Sequence, residues 1–152
     1  MFELIAKLGF QRAGSIRLDS AASLPVFELL AEYRASGAYG AHQGWVYLWC
    51  HESPGQPLKV VYVGKAGKAL EQRCRQHVGG FRGGSKKGVE NARSIRQALS
   101  ADAASAMHLY ARMSPTAEIL GEGGVSLCEA EERAMILKLR RLGQTLWNAP
   151  SD

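Results

Sequence analysis

Two apolar stretches decide the fold, Trp45-Val46-Tyr47-Leu48-Trp49-Cys50 and Leu58-Lys59-Val60-Val61-Tyr62-Val63, with the cluster His51 to Pro57 between them. Both stretches are rich in β-branched and aromatic residues, which suit a pleated surface, and the Ser-Pro-Gly and Pro of the cluster turn the chain. They predict a β-hairpin. Pairing Cys50 with Lys59 would place Tyr47 and Tyr62 side by side, an arrangement that in sheets ordinarily serves packing.

Working outward, the pattern predicts a helix from about Ala69 to Val78, a Gly-rich loop Gly79 to Gly88, and a second helix near Val89 to Leu99. A strand near Met107 to Met113 follows, and then a last helix from about Ser126 to Leu142 that stops at Gly143, with Trp147-Asn148-Ala149-Pro150 as a tail. The order is β-β-α-α-β-α. Residues 1–43 read as an N-terminal extension packed on the core, and residues 44–152 as the main domain. The extension has an apolar start, a segment Arg12 to Asp19 of no clear type, and a helix. That helix begins after Ser20 to Ser23 and runs through Phe27, Leu29, Leu30 and Tyr33 to Gly37, with Pro25 in its first turn.

At 152 residues the chain is one domain's worth, and its 46% hydrophobic and 22% charged residues exclude a disordered chain. The most apolar run, Trp45 to Cys50, is broken at once by His51 and Glu52, far short of the roughly 20 apolar residues of a bilayer crossing. A soluble protein with no membrane partner is expected. Met1 to Phe10 does not have the form of a secretory signal, and Cys50, Cys74 and Cys128 are too few and too scattered for a disulfide framework or a CxxC zinc site. Together these predict a cytoplasmic setting.

Net charge is +5, and it is concentrated. Ten basic residues lie between Lys59 and Arg96 against two acids, Glu71 and Glu90, a local balance of +8 that leaves −3 for the rest of the chain. Clustered Lys and Arg are what binding to a polyanion rewards, because neutralised phosphates release their counterions. On this reading Lys68, Arg75, Arg82, Lys86, Lys87, Arg93 and Arg96 are candidate nucleic-acid contacts. The plain alternative is the solvated surface of a basic protein.

Two helical wheels carry further anomalies. In the helix after the hairpin, Leu70, Cys74 and Val78 form an apolar stripe, and Arg73 and His77 sit four apart on its edge, pointing toward the domain. A half-buried guanidinium calls for a carboxylate or a phosphate, although a snorkelling Arg beside a satisfied core His is the commoner outcome. In the last helix Glu132 shares its stripe with Cys128, Met135, Ile136 and Leu139, whereas Glu129 and Glu131 read as solvated. A carboxylate in an apolar stripe is either an ion-pair partner or a metal ligand. After the second strand, Gly64 and Gly67 allow close backbone approach and Lys65 can meet an anion, but the spacing of a phosphate-binding P-loop is absent.

Trp45-Val46-Tyr47, then Tyr62-Val63-Gly64-Lys65-Ala66, Arg73 with His77 four residues on, Glu132 followed by Met135-Ile136, and Asn148 near the end together resemble the GIY-YIG endonuclease family. The resemblance covers about residues 44 to 150. Trp45 stands where the family's first motif has glycine, with Gly44 one residue earlier, and the spacer between the motifs is long. The resemblance implies an α+β fold with a small three-stranded antiparallel sheet flanked by helices, and metal-dependent hydrolysis of nucleic-acid phosphodiesters, DNA before RNA.

By position in those motifs, Tyr47 and Tyr62 are the family's two tyrosines, Arg73 its arginine, Glu132 its metal-binding glutamate and Asn148 its late asparagine. Lys65 and His77 match positions occupied likewise in some branches. Glu132 would hold one Mg²⁺ or Mn²⁺ and Arg73 would fork onto the phosphate. A tyrosine ionises near pH ~10, so Tyr62 serves as base if the metal and Lys65 lower that value, with Tyr47 orienting the water and His77 as the other candidate base. Asn148 would donate to a phosphate or position a neighbour. The competing expectation is a nucleic-acid-binding module on the same fold that does not cut.

Overall fold

A computed structural model describes residues 1–19 and 25–148. The helix β-sheet order is α1 (Phe2–Lys7), β1 (Gln11–Leu18), β2 (Pro25–Leu29), α2 (Ala31–Ala35), β3 (Trp45–Glu52), β4 (Lys59–Ala66), α3 (Leu70–Gly80), α4 (Lys86–Ala101), β5 (Ala106–Met113), β6 (Thr116–Ile119), β7 (Glu122–Ser126) and α5 (Cys128–Arg141), with a 3-10 turn at Ala38–Gly40. Five strands form one antiparallel sheet in the order β2-β1-β5-β3-β4. No helix among the described residues is long and apolar enough to cross a membrane.

The mixed α+β class is as expected, but the sheet has five strands and not three. The additional two come from the N-terminal segment, which is therefore not a helical extension. Gln11–Leu18 is a strand whose alternation is broken by a bulge between Arg12 and Gly14, and it pairs directly with β5. Pro25, Phe27 and Leu29 lie in β2, where Pro25 opens an edge strand, the place in a sheet that tolerates a residue without an N–H. Only Ala31–Ala35 of the expected helix is helical, and its expected start at Ser20 to Ser23 lies outside the described residues, as do Ala149 and Pro150.

Helices cover both faces of the sheet, giving three layers with two apolar clusters. One holds Trp45, Tyr47, Trp49 and Tyr62 against Leu70, Cys74, Ile95 and Leu99 of α3 and α4. The other holds Val46, Leu48, Val60 and Val63 against Ile5 of α1 and Cys128, Met135 and Leu139 of α5. Alternate residues of β3 thus feed opposite clusters, as a period of two requires, whereas in β4 the irregularity opposite Trp49 and Cys50 puts the consecutive Val61 and Tyr62 in the same cluster. Cys50, Cys74 and Cys128 are buried free thiols. Helix α5 ends in a Schellman arrangement: Gln144 N–H donates to the Leu139 carbonyl and Gly143 N–H to that of Arg140, with Gly143 at φ +77°.

The hairpin pairs in a different register from the one expected. His51 pairs with Lys59 and Cys50 with Val60, one residue off the expected pairing, and a bulge between Trp49 and Cys50 shifts the register by one more, setting Trp49 opposite Tyr62 and Tyr47 opposite Gly64. Tyr47 and Tyr62 are therefore diagonal neighbours on one face, with ring centroids 6.2 Å apart. A methyl group at Gly64 would lie 2.8 Å from Cε1 of Tyr47 and closer still to Cζ and Oη. The Tyr47 ring lies across β4 because position 64 has no side chain.

Gly64→Ala is expected to fold with the Tyr47 ring displaced, at a cost of about 1–3 kcal/mol from overpacking. Urea unfolding measures it; an unchanged midpoint would show that the ring has room elsewhere.

Candidate active site at the edge of the sheet

Tyr47 and Tyr62 project from β3 and β4 onto the face covered by α3, and one turn of α3 presents Arg73 and His77 to them. The Tyr47 hydroxyl is 2.6 Å from His77 Nε2 and accepts from Arg73 Nε at 3.1 Å. Because that oxygen already accepts from Arg73, its own proton is free to be donated to Nε2, which leaves the imidazole proton on Nδ1. The rings of Tyr47, Trp49 and Tyr62 meet the His77 ring edge-on, with centroids 5.5, 5.8 and 5.9 Å away. Trp49 was not among the expected site residues, although it shares a face with Tyr47 two residues earlier. Gln76 is a second addition: its Oε1 accepts from Arg73 Nη1 at 2.9 Å and holds the guanidinium from the outer side.

Burial sets the protonation states here. It pushes the Tyr47 phenol well above its usual range, with the nearby Tyr62 oxygen adding to the effect and Arg73 opposing it. Burial and then the Arg73 charge lower His77 to about 4. At neutral pH the pair is a phenol donating to a neutral imidazole.

On the opposite face of β4, Lys65 reaches α5. Its Nζ lies 3.0 Å from Glu129 Oε1 and 3.8 Å from Glu132 Oε2. The Glu132 side chain is 21% exposed and that of Glu129 83%. Desolvation raises the pKa of Glu132, and the charge of Glu129 adds to this, while Lys65 and, at longer range, Arg73 oppose it. Glu132 is therefore within electrostatic reach of Arg73 although the two approach β4 from different sides.

Glu129 is exposed, as expected, although it is ion-paired, whereas Glu131 departs from expectation. Glu129 shares the Lys65 ammonium, and Glu131 is half-buried against Arg112 Nη2 at 2.6 Å. Arg112 also donates to the Leu8 carbonyl at 2.8 Å, so this pair ties α5 and β5 to the end of α1. The partners of both carboxylates come from strands that a wheel of α5 alone does not contain.

Asn148 lies beside the outer edge of β4. Its Oδ1 accepts from Val63 N–H at 2.9 Å, its Nδ2 donates to the Val63 carbonyl at 2.7 Å, and Trp147 N–H donates to the Val61 carbonyl at 2.7 Å. The amide is spent on the backbone between Tyr62 and Gly64, which makes Asn148 a positioning residue in this structure. The candidate nucleic-acid contacts Lys68, Arg75, Arg82, Lys86, Lys87, Arg93 and Arg96 are all exposed. Three of them have partners: Arg75 pairs with Glu71, Lys87 donates to the Trp147 carbonyl, and Arg96 lies over the Phe81 ring.

No family model and no characterised protein sequence matches the chain. Among solved structures it is similar to a point mutant of bacteriophage T4 EndoII, at 18% identity over 98% of both chains with a TM-score of 0.66. It is also similar to the restriction endonuclease HPY188I in complex with product DNA, at 12% identity over 99% of this chain and 86% of that one, with a TM-score of 0.46. The first likeness spans both chains almost completely and establishes a common fold.

The state of His77 predicts an acid limit to stability. As pH falls below 6.5 the unfolded chain takes up a proton at this position that the folded chain refuses until about 4, so stability is lost across that window. The melting temperature of His77→Gln is expected to fall less between those two pH values than that of the parent. Parallel curves would place the acid sensitivity elsewhere.

Proposed function

We propose that this protein is a divalent-metal-dependent endonuclease of the GIY-YIG type that hydrolyses phosphodiester bonds in DNA. The observation that carries this reading is the Arg73 guanidinium, held by Tyr47 Oη and Gln76 Oε1 and within electrostatic reach of the Glu132 carboxylate. The likeness in fold to EndoII and the basic surface of α3 and α4 support it.

Hydrolysis of a phosphodiester needs an oriented water, an acceptor for its proton, and positive charge where the non-bridging oxygens gain negative charge. Arg73 supplies that charge in a fork that matches a phosphate. Tyr47 fixes the fork, and its own proton is committed to His77. Tyr62, on the same face, would take the proton of the attacking water as a phenolate; Lys65 lies on the other face of β4 against α5, so the cation beside that oxygen is Arg73 and not, as expected, Lys65. The negative charge of a phosphodiester arriving beside Arg73 offsets the guanidinium's effect on His77 and makes Nε2 a better acceptor of the Tyr47 proton.

The donor chemistry at Glu132 fits a hard cation: a half-buried carboxylate whose charged form is disfavoured by burial and stabilised by positive charge. Among the described residues no group of three or more His, Cys, Asp or Glu could jointly hold a metal ion. Glu132 would therefore be the protein ligand, with water and phosphate oxygens completing the shell, the mode in which Mg²⁺ commonly binds. When bound, such an ion polarises a phosphoryl oxygen and favours the hydroxide form of a bound water.

Incubation of plasmid and linear DNA with Mg²⁺ or Mn²⁺, with and without chelator, tests the reading. Metal-dependent cleavage is expected, and it should be lost in Glu132→Gln with folding and DNA binding retained. Arg73→Ala is expected to lose about 10²–10³-fold in rate while affinity changes far less. DNA binding without cleavage under every metal condition would assign the fold to a binding module instead.

A further inference from the structure

We propose that the glycine-lined cavity between α3 and α4 is a subsite for a second phosphodiester of the bound strand, next along from the one that Arg73 faces. This rests on the nuclease reading and extends it to residues outside the family motifs. The cavity holds about 330 Å³, with Arg73 and His77 on its α3 side and the first turns of α4 on the other. The two helices meet where a Cβ at Gly80 would lie 2.6 Å from the Gly88 carbonyl oxygen, so at that point backbone packs on backbone.

Asn91 carries the inference. It is 5% exposed, lines the cavity, and makes no side-chain hydrogen bond with the described residues. Its amide is not sealed in protein but opens onto the cavity, so what fills the cavity, water or a ligand, is its hydrogen-bond partner. His77 also lines the cavity: with Nε2 engaged by Tyr47, the remaining ring N–H, on Nδ1, has no hydrogen-bond partner among the described residues.

The remaining walls favour an anion. Ser85 Oγ caps Gly88 N–H and the Ser85 carbonyl accepts from Val89 N–H, which leaves the N–H groups of Lys86 and Lys87 at the positive end of a 16-residue helix. Arg73 and Lys87 line the cavity, and among the described residues no carboxylate does. Donors thus converge from a helix terminus, an amide, an imidazole and two cations. A phosphate oxygen on Nδ1–H would also strengthen Nε2 as acceptor for Tyr47, coupling occupancy of the subsite to the catalytic hydrogen bond.

Two-dimensional amide NMR of the full chain, titrated with thymidine 3′,5′-bisphosphate, tests this. Saturable shifts are expected at the Asn91 side-chain amide and at the N–H groups of Lys86, Lys87 and Gly88. Asn91→Asp, which puts a carboxylate in the cavity, should weaken binding by about tenfold or more, since hydrogen bonds to charged groups are the strong ones. The same spectrum reports folding, and Asn91→Ser with Lys87→Gln carries the test should the Asp variant not fold. A silent cradle, unchanged affinity in the variants, or equal affinity for inorganic phosphate, which would mark a free-phosphate site, each overturns the proposal. Oligonucleotide cleavage with a silent cradle overturns the subsite alone, whereas bisphosphate binding in the cradle without any cleavage overturns the nuclease reading alone.

Discussion

The Tyr47 ring crosses its neighbouring strand because the residue opposite is glycine, and the rest of the candidate site hangs on that contact. Only a ring lying over Gly64 brings its hydroxyl to α3, where it meets His77 and Arg73 together. His77 is then buried among three aromatic rings, and that burial together with the Arg73 charge keeps it neutral; a neutral imidazole is what a phenol can donate to. The chain from guanidinium to phenol to imidazole is thus ordered by one missing side chain. The bulge at Trp49/Cys50 is part of the same construction, because it sets the register in which position 64, and not position 63, faces Tyr47.

Much of this was legible in the sequence, and the parts that were not have physical causes. The hairpin, α3, α4, β5 and α5 announce themselves by period and composition, and the inward lean of Arg73 and His77 follows from their distance from Leu70 and Cys74. The register did not, since the seven residues His51 to Pro57 are too long a turn to fix pairing, and a bulge leaves no compositional mark. Strand β1 hides behind its bulge at Arg12/Gly14, and β2 mimics a helix through the spacing of Phe27, Leu30 and Tyr33. The β6–β7 hairpin was missed because its turn residues, Leu120 and Gly121, both at positive φ, lack the Asn-Gly or Asp-Gly signature that two-residue turns usually carry.

The carboxylates of α5 make the same point about the site. Glu129, Glu131 and Glu132 are near neighbours on one helix, yet each meets a different environment. Glu131 is fixed by Arg112, which the chain brings from the end of β5. Glu129 and Glu132 divide Lys65 unequally, the exposed one taking the shorter contact and the half-buried one the longer. Glu132 is consequently the carboxylate that is desolvated without being fully neutralised, a distinction no helical wheel can make.

Strand β4 is an edge strand, and that position matters to function as well as to folding. Tyr62 faces α3 and Lys65 faces α5, so the phenols and guanidinium lie on one side of the sheet and the ammonium and carboxylates on the other. In the middle of a sheet those two sets could never meet one ligand, because neighbouring strands would stand between them. At an edge they can act around the rim. An unprotected edge invites pairing with another chain, and here Trp147 and Asn148 occupy it by bonding to Val61 and Val63. Among the described residues this cover stops at Val63, one residue before the Gly64-Lys65 pair at which the two faces come together. The tail thus protects the edge strand beside the candidate site through bonds to the main chain of Val61 and Val63, leaving the side chains of β4 free to face both helical layers.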